Sequence, residues 1–185
     1  SLVMKRMVLS ILAENTSGVL SRVSGLFSRR GYNIDSITAG ETQDPKFSRM
    51  TVVVTGDDLI LEQMEKQLGK LEDVIDIKRL ESGQSVCREL VLIKVQADQV
   101  QRQAIIAIAD VFRAKIVDVS INSLMIELTG NQEKIDAFIR LLDGYVISQL
   151  VRTGTTGLVR GTYDGSENKS KEKEEGQRPE QSTVF

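Results

Sequence analysis

Two short polar turns carry the residue types best suited to holding a small charged molecule: Asn15-Thr16-Ser17-Gly18 and Gly31-Tyr32-Asn33. A free amino acid needs donors for its carboxylate, acceptors for its ammonium group and an apolar wall for its side chain. Donors are most available at a helix N-terminus, where orphan N–H groups and the helix dipole coincide. Ser17, Gly18, Val19 and Leu20 stand where such a terminus is expected. Gly18 has no Cβ, so a ligand can approach the backbone closely. Asn15 and Asn33 each carry an acceptor oxygen and two donor hydrogens. Leu20 and Ile34 offer apolar surface for a branched side chain. The same residues have a plainer reading. Asn15 and Ser17 serve as helix caps, Gly18 as a turn residue, and Gly31 and Asn33 as a helix stop and a strand entry. On the residues alone both readings stand.

Composition narrows the alternatives. The chain has 185 residues, 41% hydrophobic and 27% charged, an ordinary balance for a globular protein. A net charge of −2 argues against nonspecific nucleic-acid binding, which depends on Lys and Arg neutralising phosphates. The absence of histidine removes Ser-His-Asp and Cys-His nucleophile systems and every His-containing metal site. Carboxylate pairs occur at Asp57-Asp58 and Glu72-Asp73, but a helix start and a helix–strand turn account for them without a metal. Cys87 is the single cysteine, so no intrachain disulfide forms, in keeping with a reducing cytoplasm. No run approaches the roughly 18 apolar residues of a membrane span, and no cleavable signal is evident. Cytoplasmic localisation, with neither membrane nor nucleic acid as a partner, is the expectation.

Hydrophobic periodicity supplies the elements around the two turns. Residues 5–13 read as a strand, and Val19, Leu20, Val23, Leu26 and Phe27 as one face of a helix that Gly31 stops. Residues 32–42 and 47–55 read as strands around Asp44-Pro45. A helix through Leu61, Met64, Leu68 and Leu71 follows, then a strand at 74–80. The order is βαββαβ, and it recurs. A strand at 88–96 precedes a helix with Val100, Ala104, Ile108 and Val111 inward. Strands at 115–120 and 123–129 lead to a helix with Ile135, Phe138, Ile139 and Leu142 inward, then a strand at 146–152. The expected fold is α+β, with two ferredoxin-like βαββαβ domains at 4–81 and 88–161 and a polar linker at 82–87. Residues 151–158 are expected to pack on the second domain. Residues 162–185, dense in Lys, Glu and Ser, read as a disordered tail. Each domain is small for an independent core, so a homodimer is expected.

The run from Leu12 through Glu14-Asn15, Ser17-Gly18, Leu20-Ser21-Arg22-Val23, Gly25-Leu26-Phe27-Ser28 and Arg30-Gly31-Tyr32-Asn33-Ile34 resembles the small, regulatory subunits of acetolactate synthase (acetohydroxyacid synthase). The likeness continues through Asp44-Pro45, Ser48-Arg49-Met50-Thr51, residues 61–71 and Arg88-Glu89-Leu90, to Gly154, Gly157-Leu158 and Arg160-Gly161. It implies an N-terminal ACT domain and a second domain similar to ACT and nickel-repressor ligand-binding domains. It implies a non-catalytic chain that activates a large catalytic subunit and confers feedback inhibition by valine. Thiamine diphosphate, Mg2+ and FAD are implied for that partner and no cofactor for this chain. By motif, the valine-binding positions are Asn15, Gly18, Val19, Leu20, Asn33 and Ile34, in a homodimer formed through the ACT domain. The two turns lie at opposite ends of one helix, so each is expected to be a half-site that a second copy completes. A free-standing ACT-type amino-acid sensor is the alternative. A metal-responsive repressor is disfavoured by the lack of histidine and of a DNA-binding element, and a carboxylate enzyme by the lack of any acid–base constellation.

Overall fold

A computed structural model describes residues 3–161. The first unit runs β1 (Lys5–Glu14), α1 (Val19–Arg29), β2 (Ile34–Glu41), β3 (Phe47–Gly56), α2 (Asp58–Gly69) and β4 (Val74–Arg79). The second runs β5 (Ser85–Gln96), α3 (Gln99–Val111), β6 (Lys115–Val119), β7 (Ser123–Gly130), α4 (Gln132–Leu141) and β8 (Ile147–Arg152), with β9 (Thr156–Val159) after it. The sheets are antiparallel, ordered β2-β3-β1-β4 and β6-β7-β5-β8, and β9 pairs with the start of β5. This is the α+β, twice-βαββαβ architecture that the periodicity predicts.

Alternation along β1 explains the first layer. Met7, Leu9, Ile11 and Ala13 point to the helices, where Val23, Leu26 and Phe27 of α1 and Leu61, Met64 and Leu68 of α2 meet them. Val8 and Ser10 point to the opposite face and are buried too. What covers that face is the stretch joining the units. Val8, Val53 and Leu80 pack against Cys87 of β5 and Val159 of β9. The Gly157 N–H donates to Thr51 Oγ1 at 3.3 Å. A Cβ at Gly157 would stand 2.7 Å from Cys87 Sγ, so only glycine fits this approach. Thr38 Oγ1 donates to the Thr155 carbonyl at 3.3 Å, and Arg6 Nη2 to Thr155 Oγ1 at 3.3 Å.

Three expectations change. In the stretch expected as a linker, 82–87, residues 82–84 form a turn and β5 has already begun at Ser85. Its partner there is β9, some 70 residues on, which no local pattern announces. Residues 151–158 do not pack on the second unit alone, since Thr155 and Gly157 lean on the first sheet. Helix α3 buries Ile105 and Ala109, whereas Val100 and Val111, expected inward, are 82% and 80% exposed. Apolar residues lie nearly all round α3, so helical spacing admits two stripes and the sheet takes the one with Ile105. The tail expected at 162–185 lies outside the described residues.

An ion pair built on a buried carboxylate closes the second unit near this junction. Arg152 Nε and Nη2 donate to the two carboxylate oxygens of Glu89 at 2.7 and 2.9 Å, and Nη1 donates to Asp136 at 3.0 Å. Hydrogen bonding to Glu89, then to Asp136, raises the Arg152 pKa against the opposing effect of burial.

Candidate functional site

The turn from β1 to α1 is stitched to both neighbouring strands. The Glu14 N–H donates to the Asp73 carbonyl at 2.8 Å, and the Asn15 N–H to the Lys46 carbonyl at 2.8 Å. The chain then enters α1 through Gly18 at φ 81°, ψ 4°, a left-handed conformation that L side chains rarely adopt. No side chain caps α1. The cap reading of Asn15 and Ser17 therefore fails. The Asn15 amide turns elsewhere, its Nδ2 donating to the Pro45 carbonyl at 3.0 Å and to Glu41 Oε1 at 3.3 Å.

The uncapped terminus opens into a shallow depression of about 680 Å³. Asn15, Thr16, Gly18, Val19, Leu20, Ser21 and Ser24 form one wall, and Ala39, Gly40 and Glu41 of β2 with Ser48 of β3 form the other. Leu20 is 46% exposed, an apolar surface at the entrance rather than part of the core. No acidic residue occupies the first turn of α1, and the nearby Glu41 carboxylate accepts from Asn15 Nδ2. The depression offers backbone donors, hydroxyls, one carboxylate and an apolar flank. That set matches the needs of a small zwitterion and supplies no acid–base pair for catalysis. Among the described residues, no His/Cys/Asp/Glu group is arranged to hold a metal ion.

Four of the six residues singled out in the sequence, Asn15, Gly18, Val19 and Leu20, line this depression. Asn33 and Ile34 do not. They lie at the far end of α1, whose 11 residues span about 16 Å. There Asn33 Nδ2 donates to Asp35 Oδ1 at 3.1 Å. The sequence reading missed the β2 wall, although the Asp44-Pro45 turn that returns the chain was visible. It also missed Arg22, which reaches Asp73 through Nε at 2.5 Å and Nη2 at 3.0 Å. Its Nη2 further donates to Thr16 Oγ1 and to the Ser17 carbonyl, both at 3.3 Å. Hydrogen bonding from Arg22, aided by Thr16, holds the Asp73 carboxyl below its ordinary 3.8.

Strand β2 is an edge of its sheet. Among the described residues its outer N–H and C=O groups have no ladder partner, which makes it a template for a second strand. No helix among the described residues is long and apolar enough to cross a membrane.

Comparison with known proteins covers both units. Residues 9–76 match the family model for the AHAS small subunit-like ACT domain, and residues 88–161 the model for the small subunit of acetolactate synthase. The probable acetolactate synthase small subunit of Methanothermobacter thermautotrophicus is 49% identical over 156 residues, covering 84% of this chain and 93% of that protein. The acetolactate synthase small subunit of Mycolicibacterium smegmatis is 51% identical over 153 residues, covering 83% and 90%. The crystal structure of the acetolactate synthase small subunit from Thermotoga maritima superposes with a TM-score of 0.77 at 40% identity, covering 84% of this chain and 98% of that one.

Proposed function

The chain belongs to the acetolactate synthase small-subunit family, and from that premise we propose that it is the regulatory subunit through which valine controls a catalytic large subunit. It binds that partner, raises its activity and confers feedback inhibition in branched-chain amino acid synthesis. Thiamine diphosphate, Mg2+ and FAD reside on the partner, where two pyruvates condense to acetolactate with release of CO2.

The observation that carries the reading is the uncapped N-terminus of α1, entered through a left-handed Gly18 and facing an open depression. The valine carboxylate takes the first-turn N–H groups, and Leu20 flanks its isopropyl group. The free edge of β2 supports the second half of the site. Two copies pairing β2 to β2 in antiparallel fashion bring the Ile34 end of one strand to the Glu41 end of the other. Asn33 and Ile34 of the partner subunit then approach the depression that Gly40 and Glu41 line. One methylene separates leucine from valine, worth about 1–3 kcal/mol in an apolar pocket, so cross-inhibition by leucine is expected. Inhibition further requires that valine favour one arrangement of the complex over another, because equal affinity shifts nothing.

Reconstitution with the large subunit tests this. The chain alone should form no acetolactate from pyruvate, its addition should raise the specific activity of the large subunit, and valine should inhibit only the reconstituted complex. An unchanged specific activity together with unchanged valine sensitivity would reject the reading.

A further inference from the structure

A helix start is ordinarily fixed by a capping side chain that accepts a hydrogen bond from a first-turn N–H. Such a cap consumes the donors that an anionic ligand would need. Helix α1 has no cap, and it begins at a glycine, the residue that loses most conformational freedom on folding. Something else has to hold the turn without using the N–H groups of Leu20 and Ser21.

We propose that Arg22 and Asp73 are the positioning residues of this turn, bracing Gly18 and the first N–H groups of α1 for the effector carboxylate. The proposal rests on the reading that the turn binds valine. Arg22 lies one helical turn beyond Gly18, and its backbone N–H closes onto the Gly18 carbonyl at 2.9 Å. Its guanidinium folds back to the Asp73 carboxylate, the Thr16 hydroxyl and the Ser17 carbonyl. A guanidinium only donates. It therefore grips the turn through acceptors alone and takes up none of its N–H groups: the Val19 N–H turns back to the Thr16 carbonyl at 3.3 Å, and those of Leu20 and Ser21 stay available, which a capping carboxylate would not allow. Asp73 holds the same turn twice, through its carboxylate on Arg22 and through its carbonyl on the Glu14 N–H at 2.8 Å. Thr16 Oγ1 adds a bond to Asp73 Oδ1 at 3.1 Å. The brace also gives residue 18 a second reason to be glycine. A Cβ there would stand 3.1 Å from Arg22 Nη1, so a side chain would crowd the guanidinium as well as strain the backbone.

Calorimetry of valine binding to the full-length chain separates this proposal from the reading beneath it. If the wild-type chain takes up neither valine nor leucine, the effector reading fails. If the wild-type chain binds, Asp73→Asn should raise Kd by about tenfold, the equivalent of one charge-assisted hydrogen bond. Asp73→Glu, which keeps a carboxylate, should restore most of the affinity. Arg22→Lys should weaken binding comparably, and the Arg22→Lys/Asp73→Asn double variant should bind no worse than the weaker single variant, because the pair acts as one unit. A merely structural ion pair would lower the melting temperature and leave Kd alone. Wild-type Kd in both single variants overturns the proposal. Should the Asp73 variants fail to fold, Thr16→Val at an exposed position decides: a Kd raised by about threefold, as for one neutral hydrogen bond, supports the brace, and an unchanged Kd counts against it.

Discussion

The turn from β1 into α1 and the turn from β5 into α3 occupy the same place in their respective βαββαβ units, yet they are built in opposite ways. The second is closed by its own side chains. Asp98 Oδ1 accepts from the Gln101 N–H at 2.7 Å while Gln101 Oε1 accepts from the Asp98 N–H at 3.1 Å, a reciprocal capping box. The first has a left-handed glycine where a cap should be and is braced from the acceptor side by Arg22. The other two helices follow the second pattern, with Asp57 capping α2 and Asn131 capping α4. One topology thus carries a self-satisfied turn in one copy and a turn with spare donors in the other. The proposed function rests on that local chemistry and not on the fold. The charges divide likewise. The second unit buries Glu89, 6% exposed, beneath Arg152, whereas the Arg22–Asp73 pair lies at the surface beside the open turn.

The sharpest way to break this comparison is to close the open turn. Gly18→Asp places a carboxylate where the effector carboxylate is proposed to sit, competes for the same N–H groups, strains a backbone at φ 81° and crowds Arg22. Calorimetry should detect no valine binding, and a wild-type Kd would place the site elsewhere. Next in size is the buried charge of the second unit. Arg152→Met leaves Glu89 buried and unpaired and should cost about 3–5 kcal/mol of stability in urea denaturation. A loss under about 1 kcal/mol would mean that water already reaches Glu89, and that the two units do not differ in how they treat charge. The smallest effect belongs to the closed turn. Asp98→Ala should cost about 1 kcal/mol of stability and leave the valine Kd unchanged. A changed Kd would show that the second turn is coupled to the first.

Much of the fold was legible because the patterns that encode it are local. Alternation in 5–13 and 88–96 and the helical stripe through Val23, Leu26 and Phe27 identify the layers before any contact is known. Helix α3 resisted this reading because its apolar residues admit two faces, and only the packing of Ile105 and Ala109 against the second sheet chose between them. Strand β9 was hidden because a four-residue strand carries almost no periodicity, and its partner at Ser85 is distant in sequence.

The candidate site divides along the same line. The sequence by itself determined its residue types: Gly18 at the entry to a helix, an asparagine in each turn, and Leu20 and Ile34 beside them. It left open whether Asn15 and Ser17 cap the helix or leave it open, since both outcomes use the same residues. The tertiary structure decided that. Asn15 is drawn away by Glu41 and the Pro45 carbonyl, which come from the β2–β3 hairpin, and Arg22 is drawn back by Asp73 from the start of β4. Those partners lie between 26 and 51 residues away along the chain. Local propensity cannot reach that far. Strand pairing brings them together, and it leaves the first N–H groups of α1 without a capping side chain.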